Sequence, residues 1–430
     1  MRVLRFDSVS REERASIIDR TPSADVEEDV RPIVEKVREK GDEALRGYTR
    51  EFDGVEVEEI RVSDDRIEDA RDACDDGVLR AVDDAAERIR GFHEKQVRDD
   101  RSASENGIEV GRRFVPLGSA GAYVPGGGAA YPSTALMTVI PARVAGVERV
   151  VACTPPPVPD ATLAALDVAG ADDVYRVGGA QAITAMGYGT ETVASCDAVV
   201  GPGNVYVTEA KRQVRDDDGA RIEFPAGPSE VVVIADSTGD AGNIAADMVA
   251  QTEHDADASA VLATTDGELA RDVADEVERR VEDAERSETM SAATCEILVG
   301  DLDACIGFAN EYAPEHLSVV TRDDDAVLRR IRNAGSVFLG TNTPVAAGDY
   351  ATGTNHVLPT GGGARLHGGL NVDDFVRATT YQRLDEEGVE RLAETVTTLA
   401  RAEGLEAHAR SVEERLRRQE PEDMKRESDP

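Results

Sequence analysis

Residues 150–186 read VVACTPPPVPDATLAALDVAGADDVYRVGGAQAITAM, and their texture decides the fold. Two short runs rich in β-branched residues, 150–154 and 174–177, alternate with apolar segments of helical character at 162–168 and 180–186, and Pro and Gly punctuate the joins. Strand, helix, strand in that order implies parallel pairing through a right-handed crossover. The same texture begins near Phe114, with a helix expected at 135–145, a strand at 198–200 and a helix at 205–214. After a further strand at 230–235, a second βα region offers strands at 296–299 and 337–339. The fold class expected is α/β with two parallel-sheet units. Outside them the first hundred residues look helical, as at 32–52, where Val34, Val37, Leu45 and Tyr48 fall mostly at helical spacings. The tail after Asp374 is also expected to be helical, with one stripe of Val389, Leu392, Val396 and Leu399 and another of Leu405, Ala409, Val412 and Leu416.

Composition bounds the function. A chain of 430 residues has room for two or three domains, and with 4% aromatics and no Trp its cores must be built from Val, Ile, Leu and Ala. Against 48 Lys and Arg stand 86 Asp and Glu, a formal net charge of −38 that repels nucleic acid and anionic lipid. Acidic clusters such as Asp323-Asp324-Asp325, with Lys scarce beside Arg, suit a protein adapted to high salt. The five cysteines, Cys74, Cys153, Cys196, Cys295 and Cys305, are widely spaced and form no C-x-x-C pair, which disfavours a disulfide framework or a zinc ribbon and fits a reducing compartment. No segment approaches the roughly 20 apolar residues of a membrane span, so a cytoplasmic protein is expected.

Chemistry concentrates in a few segments. GAYVPGGGAAYPS (121–133), VGGAQAI (177–183) and VGPGNVYV (200–207) lie at expected strand ends, where helix N-termini offer free N–H groups to phosphate. None completes G-x-G-x-x-G, and a tight turn accounts for each alone as well as a nucleotide site does. In DMVAQTEHD (247–255), Gln251 and His254 lie one helical turn apart and continue the apolar face that Ile244 and Met248 begin, so they can point at one object; a capped helix end is the competing reading. GDYATGTNHVLPT (348–360) lacks apolar periodicity and offers Asp349 and His356. EYAPEHLS (311–318) sets Glu315 beside His316 just after a proline, an acid and a base of tunable pKa in a chain with only six histidines. In the tail, Glu403 and His408 flank Gly404, where a satisfied core histidine is the default.

Together GAYVPGG, VGPGN, AGPSEVVVIAD (226–236), Q-x-E-H, APEHL and GDYATGTNHVLPT, in this order, resemble the histidinol dehydrogenase family over nearly the whole chain. The resemblance implies two incomplete Rossmann-like parallel-sheet domains plus helical N- and C-terminal segments, divided as a segment 1–24, a discontinuous domain 25–110 with 237–370, an NAD-binding domain 111–236 and a dimerisation tail 371–430. It implies NAD-dependent oxidation of L-histidinol to L-histidine through histidinal, the last step of histidine biosynthesis. One zinc per active site would be bound by Gln251, His254, Asp349 and His408, a set of nitrogen and oxygen donors that suits the metal. Glu315 and His316 would transfer protons; Ser229, His356 and Glu403, with His316 and the metal ligands, would contact substrate; Tyr123, Gln181 and Asn204 would contact NAD. A homodimer is implied, each tail completing the partner's site.

Two other enzymes compete with that reading. An aldehyde dehydrogenase working through a thiohemiacetal has one candidate nucleophile, Cys153 in VVACTPPP, with no paired base in view and a buried apolar role as the better account. A zinc-dependent hydrolase could use the same ligands to activate water. A catalytically inert binding protein is the third alternative, and the intact Glu315-His316 pair argues against it.

Overall fold

The computed structural model describes residues 1–20, 26–126, 129–217, 219–224, 227–253, 257–283 and 295–419. It divides into two compact units, residues 1–97 with 117–375 and residues 98–116 with 376–430.

The first unit holds two sheets, both parallel throughout. In one, five strands run in the order Asp173–Arg176, Arg149–Thr154, Ser119–Tyr123, Ala198–Val200, Arg221–Ile222. The helices Pro132–Ala145, Asp160–Ala169, Gly179–Tyr188 and Val205–Asp216 lie between these strands in sequence. Covered on both faces, the inner strands are continuously apolar and buried, as strands of a two-sided parallel sheet must be. The helix Glu27–Lys40 packs on Gly179–Tyr188 and Val205–Asp216, and Asp76–His93 packs on Pro132–Ala145 and Asp160–Ala169. Residues 26–60 therefore belong to the core of the five-stranded sheet rather than with 237–370, as the resemblance had grouped them. The physical reason is the apolar stripe Val30, Ile33, Val34 and Val37, which is buried in the same core as Ile183, Met186, Val207 and Val214.

The other sheet has six strands in the order Arg2–Arg5, Cys295–Val299, Ser259–Thr264, Glu230–Ala235, His316–Val320, Ser336–Leu339. Two expectations are corrected here. The N-terminal segment holds the expected helix at Arg11–Ile18 but opens with a strand, because residues 2–5 pair in register with Glu296–Val299 and close one edge of the sheet. The strand Glu230–Ala235, expected at the end of the 111–236 domain, lies inside this sheet with every residue buried, since its unbroken EVVVIA run needs partners on both sides.

The second unit is an antiparallel sheet of Arg101–Glu105, Ile108–Pro116 and Val376–Leu384, followed by the helices Glu386–Ala402 and Glu406–Gln419. Residues 376–384 thus form a strand where the tail was expected to be helical. VRATTYQRL is rich in β-branched and aromatic residues, and all nine pair with Ile108–Pro116.

Candidate active site

Carboxyl ends of the five-stranded sheet and amino ends of the central strands of the six-stranded sheet open onto one cavity of about 560 Å³. From the first side come Pro125, just beyond Ser119–Tyr123, and the Pro202–Val205 turn that follows Ala198–Val200. From the second come Ser229, Glu315 and His316, at the starts of the two paired strands Glu230–Ala235 and His316–Val320. Asp349 and Tyr350 at the end of the helix Val345–Tyr350, and His356 and Leu358 from the segment after it, add to the wall.

Local backbone explains how EYAPEHLS delivers its acid and base. The helix Leu302–Tyr312 ends in Ala313, a buried non-glycine residue held at φ +54°. This left-handed conformation is costly for a residue with a Cβ, and such strain clusters where function fixes the chain. Pro314 then aims the chain into the strand, so that Glu315 and His316 arrive together at its first positions. The main chain of the neighbouring strand comes close here, and a Cβ on Gly335 would lie 2.7 Å from the Glu315 carbonyl oxygen.

The Glu315 carboxylate accepts two hydrogen bonds on one oxygen, from the Ser229 hydroxyl at 2.6 Å and from the Glu230 N–H at 2.9 Å, both to Oε2. Burial pushes its pKa above the usual carboxylate range, against the pull of His316 and of these two bonds. His316 lies with Nδ1 3.3 Å from the Glu230 carbonyl oxygen and 3.6 Å from Glu315 Oε2, and with Nε2 3.4 Å from Asp349 Oδ1. That last separation is an ion-pair contact without hydrogen-bond geometry, leaving a buried ring nitrogen directed at the carboxylate. Burial opposes the imidazolium, but Glu315 and Asp349 outweigh it and push the ring up to about 9. His356 is held at both ring nitrogens: Nδ1 is 2.9 Å from the Asp349 carbonyl oxygen and Nε2 is 3.1 Å from the Thr134 hydroxyl.

Six of the residues singled out in the sequence therefore share the cavity wall: Asn204, Ser229, Glu315, His316, Asp349 and His356. Tyr123 and Gln181 are buried and are not among the lining residues. The buried Tyr123 hydroxyl accepts the N–H of Gly179 at 3.1 Å, and burial pushes that hydroxyl to about 12. Asn204 is tied up as a cap, its Oδ1 accepting the N–H groups of Tyr206 and Val207 at the start of Val205–Asp216. Its loop is braced by Gly201, whose φ of +124° brings it so near Tyr123 that a Cβ would stand 2.1 Å from the Tyr123 carbonyl oxygen. Gln251 is buried near the end of Ala241–Thr252, a helix in contact with the Val345–Tyr350 helix that carries Asp349. His254 lies outside the described residues. Glu403 and His408 belong to the second unit, at the end of Glu386–Ala402 and in Glu406–Gln419. Sequence reasoning passed over Glu230, Arg20 and Thr134; only Glu230 left a signal, as an acid opening an otherwise apolar strand. Cys153 is fully buried, and burial raises its thiol well above the ordinary range, which removes it as a nucleophile.

Two parallel sheets closing over a cavity with a buried carboxylate and imidazole in its wall define the class of an α/β enzyme. The family model "Histidinol dehydrogenase" matches residues 18–416. The histidinol dehydrogenase of Haloarcula marismortui is 54% identical over 424 residues, 97% of this chain and 100% of that one, and that of Natronomonas pharaonis is 53% identical over the same shares. A crystal structure of histidinol dehydrogenase from Elizabethkingia anophelis superposes with a TM-score of 0.91 at 36% identity, covering 95% of this chain and 96% of that one. This chain belongs to the histidinol dehydrogenase family, oxidoreductases of histidine biosynthesis. Both leading relatives come from halophilic archaea, in keeping with the acidic composition.

Proposed function

We propose that the chain oxidises L-histidinol to L-histidine in two hydride transfers to NAD, with histidinal between them. The observation that carries this reading is the run of side chains Ser229, Glu315, His316 and Asp349 along one wall of a cavity whose opposite wall is made by strand-end loops. In the first oxidation Nε2 of His316 takes the hydroxyl proton while the carbinol hydrogen leaves as hydride. In the second, water adds to the aldehyde carbon, its proton passes to Glu315, and hydride leaves the hydrate to a second NAD. Oε1 of Glu315 bonds to no donor among the described residues, so that oxygen is available to a water while Oε2 is held. Ser229 and His356 contact the substrate, and Tyr123, Gln181 and Asn204 shape the NAD side.

One zinc per active site, held by Gln251, His254, Asp349 and His408, fits what is described of these residues. The buried Gln251 amide nitrogen has no partner among the described residues, so the amide can turn its oxygen to a cation without losing a bond there, and Asp349 faces the cavity. Held there, a metal would supply a Lewis-acidic anchor for substrate nitrogens, and Asp349, engaged as its ligand, would pull less on the proton of His316. Residues Glu403 and His408 act in a homodimer, reaching the site of the partner. Apolar side chains left open on the second unit support such an association: Leu399 is 58% exposed and Val110 49%, with Leu384 and Leu405 also uncovered. No described helix is long and apolar enough to cross a membrane, and a cytoplasmic enzyme working at high salt is the setting proposed. NADH formed per L-histidinol consumed, measured in concentrated KCl on metal-loaded enzyme, tests the reading: two supports it, and none overturns it.

A further inference from the structure

Glu230 is an acid where the physics of a parallel sheet disfavours one. It opens a central strand, its side chain is 1% exposed, and an isolated carboxylate so placed is strongly disfavoured by the loss of hydration. Its partner is Arg20, whose Nη1 bonds Glu230 Oε2 and whose own side chain is 10% exposed. Arg20 does not stop there. Its Nη2 donates to the Tyr312 carbonyl oxygen at 2.7 Å, Nε donates to the Ile18 carbonyl oxygen at 3.0 Å, and the guanidinium lies 3.6 Å over the Tyr312 ring. Tyr312 is the last residue of the helix that leads through Ala313 and Pro314 into Glu315. One guanidinium therefore grips both the acid beside Glu315 and the helix end just before it.

The contact between the two acids is reciprocal. Glu230 donates its N–H to Glu315 Oε2 at 2.9 Å, and Glu315 donates its N–H to Glu230 Oε1 at 3.2 Å. Register makes this possible, because His316 stands opposite Val231 and the two acids consequently face one another at the strand starts. Two buried carboxylates at this spacing repel, and without Arg20 the pair would relax apart or take up a proton.

We propose that Glu230 and Arg20 are positioning residues for Glu315, a buried ion pair that fixes the orientation in which Glu315 presents Oε1 to the water of the second oxidation. The inference rests on the reading of Glu315 as the base of the aldehyde step. It assigns to this pair a stronger hold on the aldehyde step than on the alcohol step, since among the described residues His316 meets Glu230 through the main-chain carbonyl, which substitution of the side chain leaves in place, and feels the pair otherwise through Glu315.

The test compares Glu230→Gln, Arg20→Lys and Glu315→Gln as full-length, metal-loaded enzymes in concentrated KCl. The alcohol step is read as the first hydride transfer in single turnover with L-histidinol, and the aldehyde step as kcat and KM with histidinal supplied directly. Glu230→Gln keeps an acceptor for the Glu315 N–H but not the ion pair, and Arg20→Lys keeps the charge but not the fork. For each, the ratio of aldehyde-step to alcohol-step rate is expected to fall at least tenfold with KM for histidinal unchanged. The double variant Glu230→Gln/Glu315→Gln should be no slower in the aldehyde step than Glu315→Gln alone, because Glu230 acts through Glu315. An unchanged ratio in both single variants, or a double variant showing the full product of the two losses, overturns the proposal. If Glu315→Gln itself leaves the ratio unchanged, the base assignment has failed, and the proposal falls with it. The ratio is internal to each protein, so partial loss of folded enzyme does not alter it.

Discussion

Lys211 Nζ lies 2.6 Å from Glu223 Oε1, with both side chains all but sealed from solvent, and together they clamp Gly201 at both ends of its peptide units. The ammonium bonds the Gly201 carbonyl oxygen, and the Gly201 N–H donates to Glu223 Oε1 at 2.9 Å. Gly201 starts the turn that carries Asn204 to the cavity, so a buried ion pair holds one wall of the site. Replacing Lys211 by Met strands a carboxylate in the interior. The expected result is destabilisation of about 3–5 kcal/mol together with a raised KM for NAD, read by denaturant titration and by steady-state kinetics. A change in stability without any change in KM for NAD would separate this pair from the cofactor site.

Glu315→Gln is expected to stop turnover after one hydride transfer, so that NADH per L-histidinol falls from two toward one and aldehyde accumulates. His316→Gln should slow the first transfer by roughly 10²–10⁴, the usual worth of a positioned base. Stopped-flow absorbance of NADH distinguishes the two, and equal loss of both steps in each variant would contradict the division of labour.

Asp374 supplies a pH dependence of stability away from the reacting groups. Burial pushes its carboxyl up to about 6, and Glu223 adds to the shift while the Asn371 N–H and Arg221 oppose it. A carboxyl whose folded value is raised favours the folded state while protonated, so stability declines as pH rises from about 4 to about 6 and stays lower beyond. Asp374→Asn keeps an acceptor for the Asn371 N–H and removes the buried charge. Its melting temperature should exceed that of the unaltered protein at pH 7 and lose that advantage near pH 4, in thermal scans at constant KCl.

A formal charge of −38 makes the folded state self-repelling when screening is weak. As the Debye length grows from about 3 Å at molar salt to about 30 Å at 0.01 M, charges on separate elements begin to act on one another. Activity and helical circular dichroism should therefore decline together on dialysis into dilute buffer and recover on restoring KCl. Full stability without salt would refute a salt-adapted surface.

Metal and dimer can be tested in one mixture. His254→Ala and His408→Ala subunits should each be inactive and zinc-poor alone. Refolded together they should recover roughly a quarter of the unaltered activity, because half the dimers are mixed and each mixed dimer has one intact site. Recovery of bound zinc in the same proportion is a readout independent of turnover, and absence of both excludes a site shared between subunits.

The sequence alone carried the α/β class and six of the polar side chains that line the cavity. Strand–helix alternation at 150–186 depends only on local periodicity, and Glu315, His316, Asp349 and His356 stood out because acids and imidazoles in Gly- and Pro-rich loops have few structural uses. What escaped it was set by long-range pairing. Glu230–Ala235 reads the same whichever sheet receives it, and only burial on both faces between Ser259–Thr264 and His316–Val320 decides. Residues 376–384 border a helical tail in sequence, yet nine antiparallel pairs with Ile108–Pro116 override that neighbourhood. Arg20 is one arginine among many until folding brings it 292 residues along the chain to Tyr312 and beside Glu230. Local pattern fixes most of the elements that form, because it depends on neighbours in the chain, with 376–384 the exception that long-range pairing decides. Which carboxylates lie side by side, and which guanidinium holds them there, depends on strand register and on the burial of charge, and both exist only once the sheets have closed.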